Sequence, residues 1–487
     1  MVKSFIVSLS NRSFEIFREI IEEARQYIEI ASFLFYDEML SDLLIEKIKQ
    51  TNVKVEILTT PPEAAESEEL KKHAVDIHRK MRSFGINVIT CDWEVGQPEL
   101  TIATRAGGRM PRWFAMHSKF MVTDKCALIT SADILEDFHK RDDWNTHILY
   151  RDPERIKQLH QKFNKLKNIV SNLPSHIGSE YIDTTVPLRK LIRGYPTKLV
   201  CNIPHQAGFY LLPHEAYGRQ IIKKAISNAE EFVYLMFETI YDDDISRSAI
   251  KKLISDPKID FKIITSPLTA YVQNKMKTKA TFVELVSHGA RIRSLRNLRA
   301  KMLITDKVLI GGSFDLVKMG LGTVRSIKKG LKALVASTEI MDINDSSECI
   351  EEAKTEFLRI FYDQSAEEYG LWFSKEAEDI LRSAGAEIIA KDAKEFLGYL
   401  IFNGKRKVSE RIKIISLIAV EIAKLKNWRK VYVKLEDIQK AEQILLLHEK
   451  GELSEESIRK ILGILNAKSF LSRIKCICQQ ITRRSPC

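Results

Sequence analysis

Residues 116–133, "MHSKFMVTDKCALITSAD", set His117, Lys119 and Asp124 at the spacing H-x-K-x4-D, ahead of a small-residue turn, Thr130-Ser131-Ala132-Asp133. Histidine can attack or carry a proton near neutral pH, and lysine supplies a fixed positive charge for phosphoryl oxygens. Residues two apart on a strand share a face, so His117 and Lys119 project together while Ser118 points away. Asp124 falls at odd spacing from both and is expected to organise the backbone. Ser131 and Asp133, on the turn after the next strand, can return to the site. A phosphate site of this kind ordinarily needs a second set of the same groups.

The second set lies in the same chain. Phe17 to Pro61 and Gly218 to Pro267 read alike: an amphipathic helix, an apolar strand ending in Tyr-Asp (Tyr36-Asp37, Tyr241-Asp242), a helix, then a strand ending in a Thr/Ser-Pro turn. Both continue to a K-x4-D strand pair, Lys119 to Asp124 and Lys301 to Asp306, followed by "KCALITSAD" and "KVLIGGSFD". Ser131 therefore matches Ser313, and Asp133 matches Asp315. Short apolar strands alternating with helices predict an α/β fold with a largely parallel sheet in each copy, the two copies forming a pseudo-dimer over 1–185 and 186–365. Copy one carries about two dozen extra residues before its motif, a length at which loops are often functional. This loop, centred on Asp92 to Trp113, bears Arg105, Arg109 and Arg112 with Trp93 and Trp113; it reads either as a cover for the site that touches a charged or stacking ligand or as a plain surface excursion.

The two motifs in tandem α/β copies resemble the phospholipase D superfamily. The resemblance rests on His117-x-Lys119-x4-Asp124 with its turn and on Lys301-x4-Asp306 with Gly312-Ser313-Phe314-Asp315, and it covers roughly residues 1 to 365. It implies a phosphodiesterase or transphosphatidylase that needs no metal or other cofactor. In such enzymes one motif histidine attacks phosphorus, the histidine of the other copy protonates the leaving oxygen, and both copies build one site. His117 carries over as nucleophile, Lys119 and Lys301 as phosphate binders, and Ser131 and Ser313 as lesser polar contacts. The second histidine does not carry over, because Arg299 stands in its place in "LRNLRAKMLITD". Arginine stays protonated and can only clamp a phosphate. Asp133 and Asp315 replace the family's usual asparagine, and Asn145 of "DDWNTH" stands where an acidic residue often supports the histidine. A homodimer pairing two first copies would bring two His117 together, as in small single-motif nucleases of the superfamily. His147 and His288 are the other candidates for the missing acid.

A net charge of +11 points to a polyanionic partner. Arg291, Arg293, Arg296 and Arg299 lead into Lys301, which favours contact with a nucleic-acid backbone over one lipid headgroup. Scattered cysteines, no apolar run long enough to span a bilayer and a start without signal-peptide layout place the chain in the cytoplasm with no integral membrane contact. From about residue 366 the pattern reads as helices only, an all-α domain over 366–487 for docking a protein partner or for oligomerisation. Ser374 and Ser409 stand at N-cap positions there. With Ser409-Glu410-Arg411 opening one helix, this region resembles the lid of AAA+ ATPases, although no phosphate-binding loop motif occurs in the chain. The reading is a metal-independent nuclease working through a phosphohistidine. Its alternatives are a weakly active or inactive nucleic-acid-binding scaffold and a phospholipid-processing enzyme.

Overall fold

The computed structural model describes residues 5–90, 116–171, 206–267, 281–316, 323–335, 338–365, 367–383, 387–390, 398–401, 410–427 and 430–482, apart from 63, 64, 66, 213, 214, 241, 242, 283, 287, 329, 330 and 466. The loop bearing Arg105, Arg109, Arg112, Trp93 and Trp113 lies outside the described residues, as does Ser409. The chain divides into two compact units, one of Met1–Ile245, Ile264–Tyr271 and Leu295–Ser365, the other of Ser246–Ile263, Val272–Ser294 and Ala366–Cys487.

Copy one supplies β1 (Phe5–Ser10), α1 (Ser13–Glu23), β2 (Tyr27–Ala31), α2 (Glu38–Gln50), β3 (Lys54–Thr59), α3 (Glu68–Ser83), β4 (Asn87–Thr90), β5 (Phe120–Thr123), β6 (Ala127–Thr130), β7 (Asn145–Tyr150) and α4 (Pro153–Ser171). Its sheet runs β1-β7-β6-β5-β2-β3-β4. Only β2, β3 and β4 are mutually parallel; β5, β6, β7 and β1 pair antiparallel. The expectation of a largely parallel sheet is thus corrected to a mixed one. The physical reason is connection length: β5 and β6 are joined by a tight turn that only an antiparallel pair can use, whereas helices cross over between β2, β3 and β4.

Copy two repeats the pattern with β8 (Gly208–Leu212), α5 (Gly218–Asn228), β9 (Phe232–Phe237), α6 (Asp243–Ser255), β10 (Asp260–Thr265), β11 (Arg291–Ser294), β12 (Lys301–Thr305), β13 (Leu309–Gly312), β14 (Thr323–Lys328), β15 (Leu331–Val335), β16 (Glu339–Asn344) and α7 (Ser347–Arg359). In the first unit β9, β12, β13, β16 and β8 are successive neighbours. The tight β12–β13 turn repeats the β5–β6 turn. Both motif aspartates do the same local work. Asp124 Oδ1 accepts from the Arg25 and Gln26 amides at 2.8 and 3.0 Å, and Asp306 Oδ1 from those of Glu230 and Glu231 at 2.9 and 3.2 Å. Each closes the turn between a helix and the strand beside its motif. Asp37 of the Tyr-Asp pair caps α2, accepting from Leu40 N at 2.8 Å, and its other oxygen receives Phe138 N at 2.9 Å.

The core that joins the copies draws on both sheets, with Leu9, Val122, Ile129 and Ile148 from copy one and Met302, Ile304, Leu309, Ile340 and Phe357 from copy two in one buried cluster. Each such side chain stabilises by about 1.5–3 kcal/mol when fully buried. The close approach explains Gly311 and Gly312 where copy one has Ile129 and Thr130. A Cβ on Gly311 would come within 2.5 Å of Ile148 Cδ1, and one on Gly312 would overlap the Ile340 carbonyl oxygen.

His147 sits inside this framework. Its two ring nitrogens meet Ser13 Oγ and Thr130 Oγ1, each at 3.1 Å, and burial lowers its pKa to about 3. The unfolded chain binds a proton at this histidine below about pH 6.5, which the folded chain refuses until about 3. Stability contributed by neutral His147 is therefore complete above pH 6.5 and is lost as pH falls towards 3. Urea midpoints measured from pH 7 to 4 should fall more steeply in the natural chain than in His147→Gln; parallel curves would refute this. A neutral, enclosed imidazole is also no general acid, so the expectation that His147 supplies the missing proton is corrected. His288 belongs to the second unit, at the turn into β11, where burial and then Lys424 lower its pKa.

In the second unit the helical C-terminal region is present: α8 (Lys375–Ser383), α9 (Glu410–Lys426), α10 (Leu435–Glu449), α11 (Glu455–Leu462) and α12 (Ala467–Thr482). Ser374 Oγ caps α8, accepting from Ala377 N at 3.2 Å, and Asp437 accepts from Lys434 N at 2.9 Å at the start of α10. Arg411 pairs with Glu449 across α9 and α10. The reading of helices only is corrected by β17 (Glu367–Phe373), β18 (Glu387–Ala390), β19 (Gly398–Ile401) and β20 (Lys430–Val433). Tyr, Trp, Phe and β-branched residues in "EEYGLWF" and "KVYV" favour a pleated surface, and β17 and β20 pair in parallel while β17 also pairs antiparallel with β11.

Candidate active site

The two motifs are held by crossed backbone contacts within the first unit. Thr338, just before β16 of copy two, accepts His117 N at 2.9 Å and Ser118 Oγ at 3.1 Å. Reciprocally, Trp144, just before β7 of copy one, accepts Arg299 N and Ala300 N at 2.8 Å each and donates its own amide to Asn297 O at 2.8 Å. Asn297 takes a left-handed φ of 55°, which asparagine tolerates better than most residues. Lys301 N completes the exchange by donating to Thr146 Oγ1 at 3.0 Å. The head of each copy's last site strand thus grips the other copy's motif.

That crossing places Glu339, the first residue of β16, on His117: Nδ1 lies 2.9 Å from Oε1 and 3.0 Å from Oε2. Ser313 Oγ donates to Glu339 Oε2 at 2.6 Å and accepts from Ile340 N at 3.1 Å. The mirrored position in copy one is Asn145, whose Oδ1 accepts from Ser131 Oγ at 3.0 Å while Ser131 Oγ accepts from Thr146 N at 3.0 Å. Asn145 also donates to Ser13 Oγ at 3.1 Å. The expectation that Asn145 supports His117 is therefore corrected: a strand head serves the opposite copy, so Asn145 belongs to the Arg299 side and Glu339 to the His117 side. Glu339 was missed by sequence reasoning. Aligning "NTHILY" with "EIMDIN" beyond the turn exposes it, because both follow their motif strands by the same path.

Two further residues were missed, Phe33 and Glu238, which occupy matching places just past β2 and β9. The Phe33 ring centre is 5.0 Å from that of His117, and the Lys119 ammonium is 5.5 Å from the same ring. In copy two Glu238 Oε2 takes that place and meets Arg299 Nη1 at 3.0 Å. The exchange is paired: imidazole on an aromatic ring in one copy, guanidinium on a carboxylate in the other.

Lys119 and Lys301 are buried, with Nζ 3.2 Å from Asp133 Oδ1 and 3.0 Å from Asp315 Oδ1 respectively. Lys119 Nζ is also 3.1 Å from His117 Nε2. Burial alone would raise the Asp133 carboxyl, yet Lys119, His117, Lys301 and Arg299 hold it below the usual carboxylate range. Asp315 behaves alike, with burial overcome by Lys301, His117 and Lys119. Burial would lower Lys301, but Asp315, Glu238 and Asp133 hold it above its usual value. Each aspartate feels cations from both copies, so the groups form one site. An incoming phosphoryl group would compete with Asp133 and Asp315 for the two ammonium groups.

Not every expected arginine joins it. Arg296 and Arg299 are exposed, the latter in the site, whereas Arg291 is fully buried and Arg293 half-buried on β11 in the second unit. The expectation that Arg291 meets a nucleic-acid backbone is corrected: it lies on an interior strand, between β17 and β10.

The family model for "Cardiolipin synthase, PLD-like domain" matches residues 17–167, which hold the intact motif. Residues 17–167 thus form a phospholipase D-like domain. A domain of this kind supports action on phosphodiesters in general. No curated protein matches its sequence at a significant level. Among solved structures it is similar to phosphatidylserine synthase from Haemophilus influenzae Rd KW20, with 12% identity and a TM-score of 0.50 over 75% of this chain and 88% of that one. Polyphosphate kinase from Porphyromonas gingivalis follows at 10% identity and TM-score 0.44, over 83% of this chain and 50% of that one. Nuc from Salmonella typhimurium, a phospholipase D family member, follows at 16% and 0.26, over 34% and 98%. At 12% identity the likeness to the first of these speaks to the fold alone. Among the described residues no helix is long and apolar enough to cross a membrane.

Proposed function

We propose that the protein is a metal-independent phosphodiesterase that forms a phosphohistidine at His117 and acts on nucleic acid. The observation that carries the reading is the His117–Glu339 contact at Nδ1, which leaves Nε2 as the attacking atom beside the Lys119 ammonium. As the N–P bond forms, the imidazole becomes cationic, and a carboxylate on its far nitrogen stabilises that charge. Lys119, Lys301 and Arg299 hold the phosphoryl oxygens. The net charge of +11 and the exposed Arg296 and Arg299 beside the motif support a polyanionic substrate.

A second reading, binding without cleavage, is favoured by Arg299 and Asn145 standing where an acid and its carboxylate support would be. Labelled single- and double-stranded DNA and RNA, and vesicles of anionic phospholipid, incubated with the full chain in EDTA separate the readings. Cleavage of nucleic acid that disappears in His117→Ala is expected. Salt-dependent binding unchanged by that substitution, with no cleavage, would leave the scaffold reading, and headgroup release from vesicles would leave a lipid-processing enzyme.

A further inference from the structure

The site is chemically one-sided. On the attacking side His117, Glu339 and Ser313 form a complete nucleophile with its support. On the opposite side, where a leaving oxygen would depart, residue 299 is an arginine whose amide meets Trp144 O, the strand-head position matching Glu339 is Asn145, and the guanidinium pairs with Glu238. Both the proton donor and the carboxylate that would tune a donor have been exchanged. What stands there instead is a half-exposed guanidinium, with one nitrogen on Glu238, in a form suited to a dianionic oxygen cluster.

From this juxtaposition the geometry points to a phosphoanhydride as the preferred substrate: the group that leaves His117's target phosphorus is itself a phosphate, held by Arg299. The inference rests on the reading of His117 as nucleophile and puts an anhydride in place of the internal nucleic-acid linkage as the bond cleaved best. The balance of the step explains the fit. His117 Nε2 forms the N–P bond, the bridging P–O bond breaks, and its electron pair stays on the departing oxygen. An alkoxide leaving group has a conjugate acid about as weak as water, near 15.7, and must be protonated as it leaves. A phosphate monoester titrates near 6 and departs as an anion without a proton. The charge it gains meets Arg299. In the second step water attacks phosphorus, the N–P pair returns to His117, and the water proton passes to bulk solvent. The missing acid is then no defect for an anhydride, whereas an internal nucleic-acid linkage forfeits on the order of 10²–10⁴ in rate.

The test compares dithymidine 5′,5′-pyrophosphate with the dinucleoside monophosphate of thymidine, because both deliver a thymidylyl group to His117 and differ in the leaving group. With the full chain in EDTA, kcat/KM for the pyrophosphate should exceed that for the monophosphate by on the order of 10² or more. Arg299→His, which offers a proton and removes the clamp, should shrink that ratio at least tenfold, and Arg299→Lys, which keeps charge without an acid, should preserve it. Similar rates on both probes, or a ratio unmoved by Arg299→His, would overturn the inference alone. Absence of a His117-dependent, acid-labile adduct from either probe would overturn the parent reading and this one together.

Discussion

Replacing His117 with alanine is expected to abolish turnover, by a factor on the order of 10⁶ where the chemical step is followed, while leaving the fold intact. Removing a covalent nucleophile from a preorganised site costs about this much in other enzymes. The side chain is not structural: it is partly exposed, and its fixed contacts are to Glu339, Lys119 and the Phe33 ring. Its backbone amide, which bonds Thr338, survives the change. The decisive measurement is a single-turnover assay with mass analysis of the quenched protein. An adduct on residue 117 that is labile to acid and absent from the variant is the expected result. Undiminished turnover in the variant would remove His117 from the mechanism altogether.

The second large effect belongs to Glu339→Gln, expected to lower kcat by on the order of 10²–10⁴ with KM little changed. Glu339 is a positioning residue: it acts through the imidazole, whose tautomer it fixes and whose developing charge it stabilises, and loss of such a carboxylate in a comparable pair has an effect of this size. Glutamine keeps the shape and can still accept from Ser313 Oγ, so the protein should remain folded. The readout that separates positioning from mere structure is the split between kcat and KM, taken with the melting temperature. A fall confined to kcat with the melting temperature unmoved is expected. A rate loss that comes with a lowered melting temperature would instead make Glu339 a packing residue. Glu339→Asp should recover part of the rate.

The intact motif, the recurrence of K-x4-D, the matched serines and aspartates of the two turns, and the arginine at position 299 are all readable in the linear chain, because each rests on spacing within a few residues. The work of Asp124 and Asp306 follows the same rule, since each closes a turn next to its own strand. Helices α8, α9 and α10 were legible from apolar periodicity, whereas β17 and β20 were not: a seven-residue segment and a four-residue segment carry too little pattern to stand out among helices.

Partnership across the copies was illegible for a different reason. Glu339 meets His117 across 222 positions of chain, and nothing local to either residue signals the other. Arg291 and Arg299 illustrate the same limit. Both lie in one basic run, yet an interior strand buries the first and the crossing of copies exposes the second. The sequence by itself determined that this chain holds two copies of one phosphate-binding unit, one with a histidine and one without. Only the tertiary structure decided which carboxylate serves that histidine, because the copies trade strand heads across their shared core, and long-range packing sets which residues face one another.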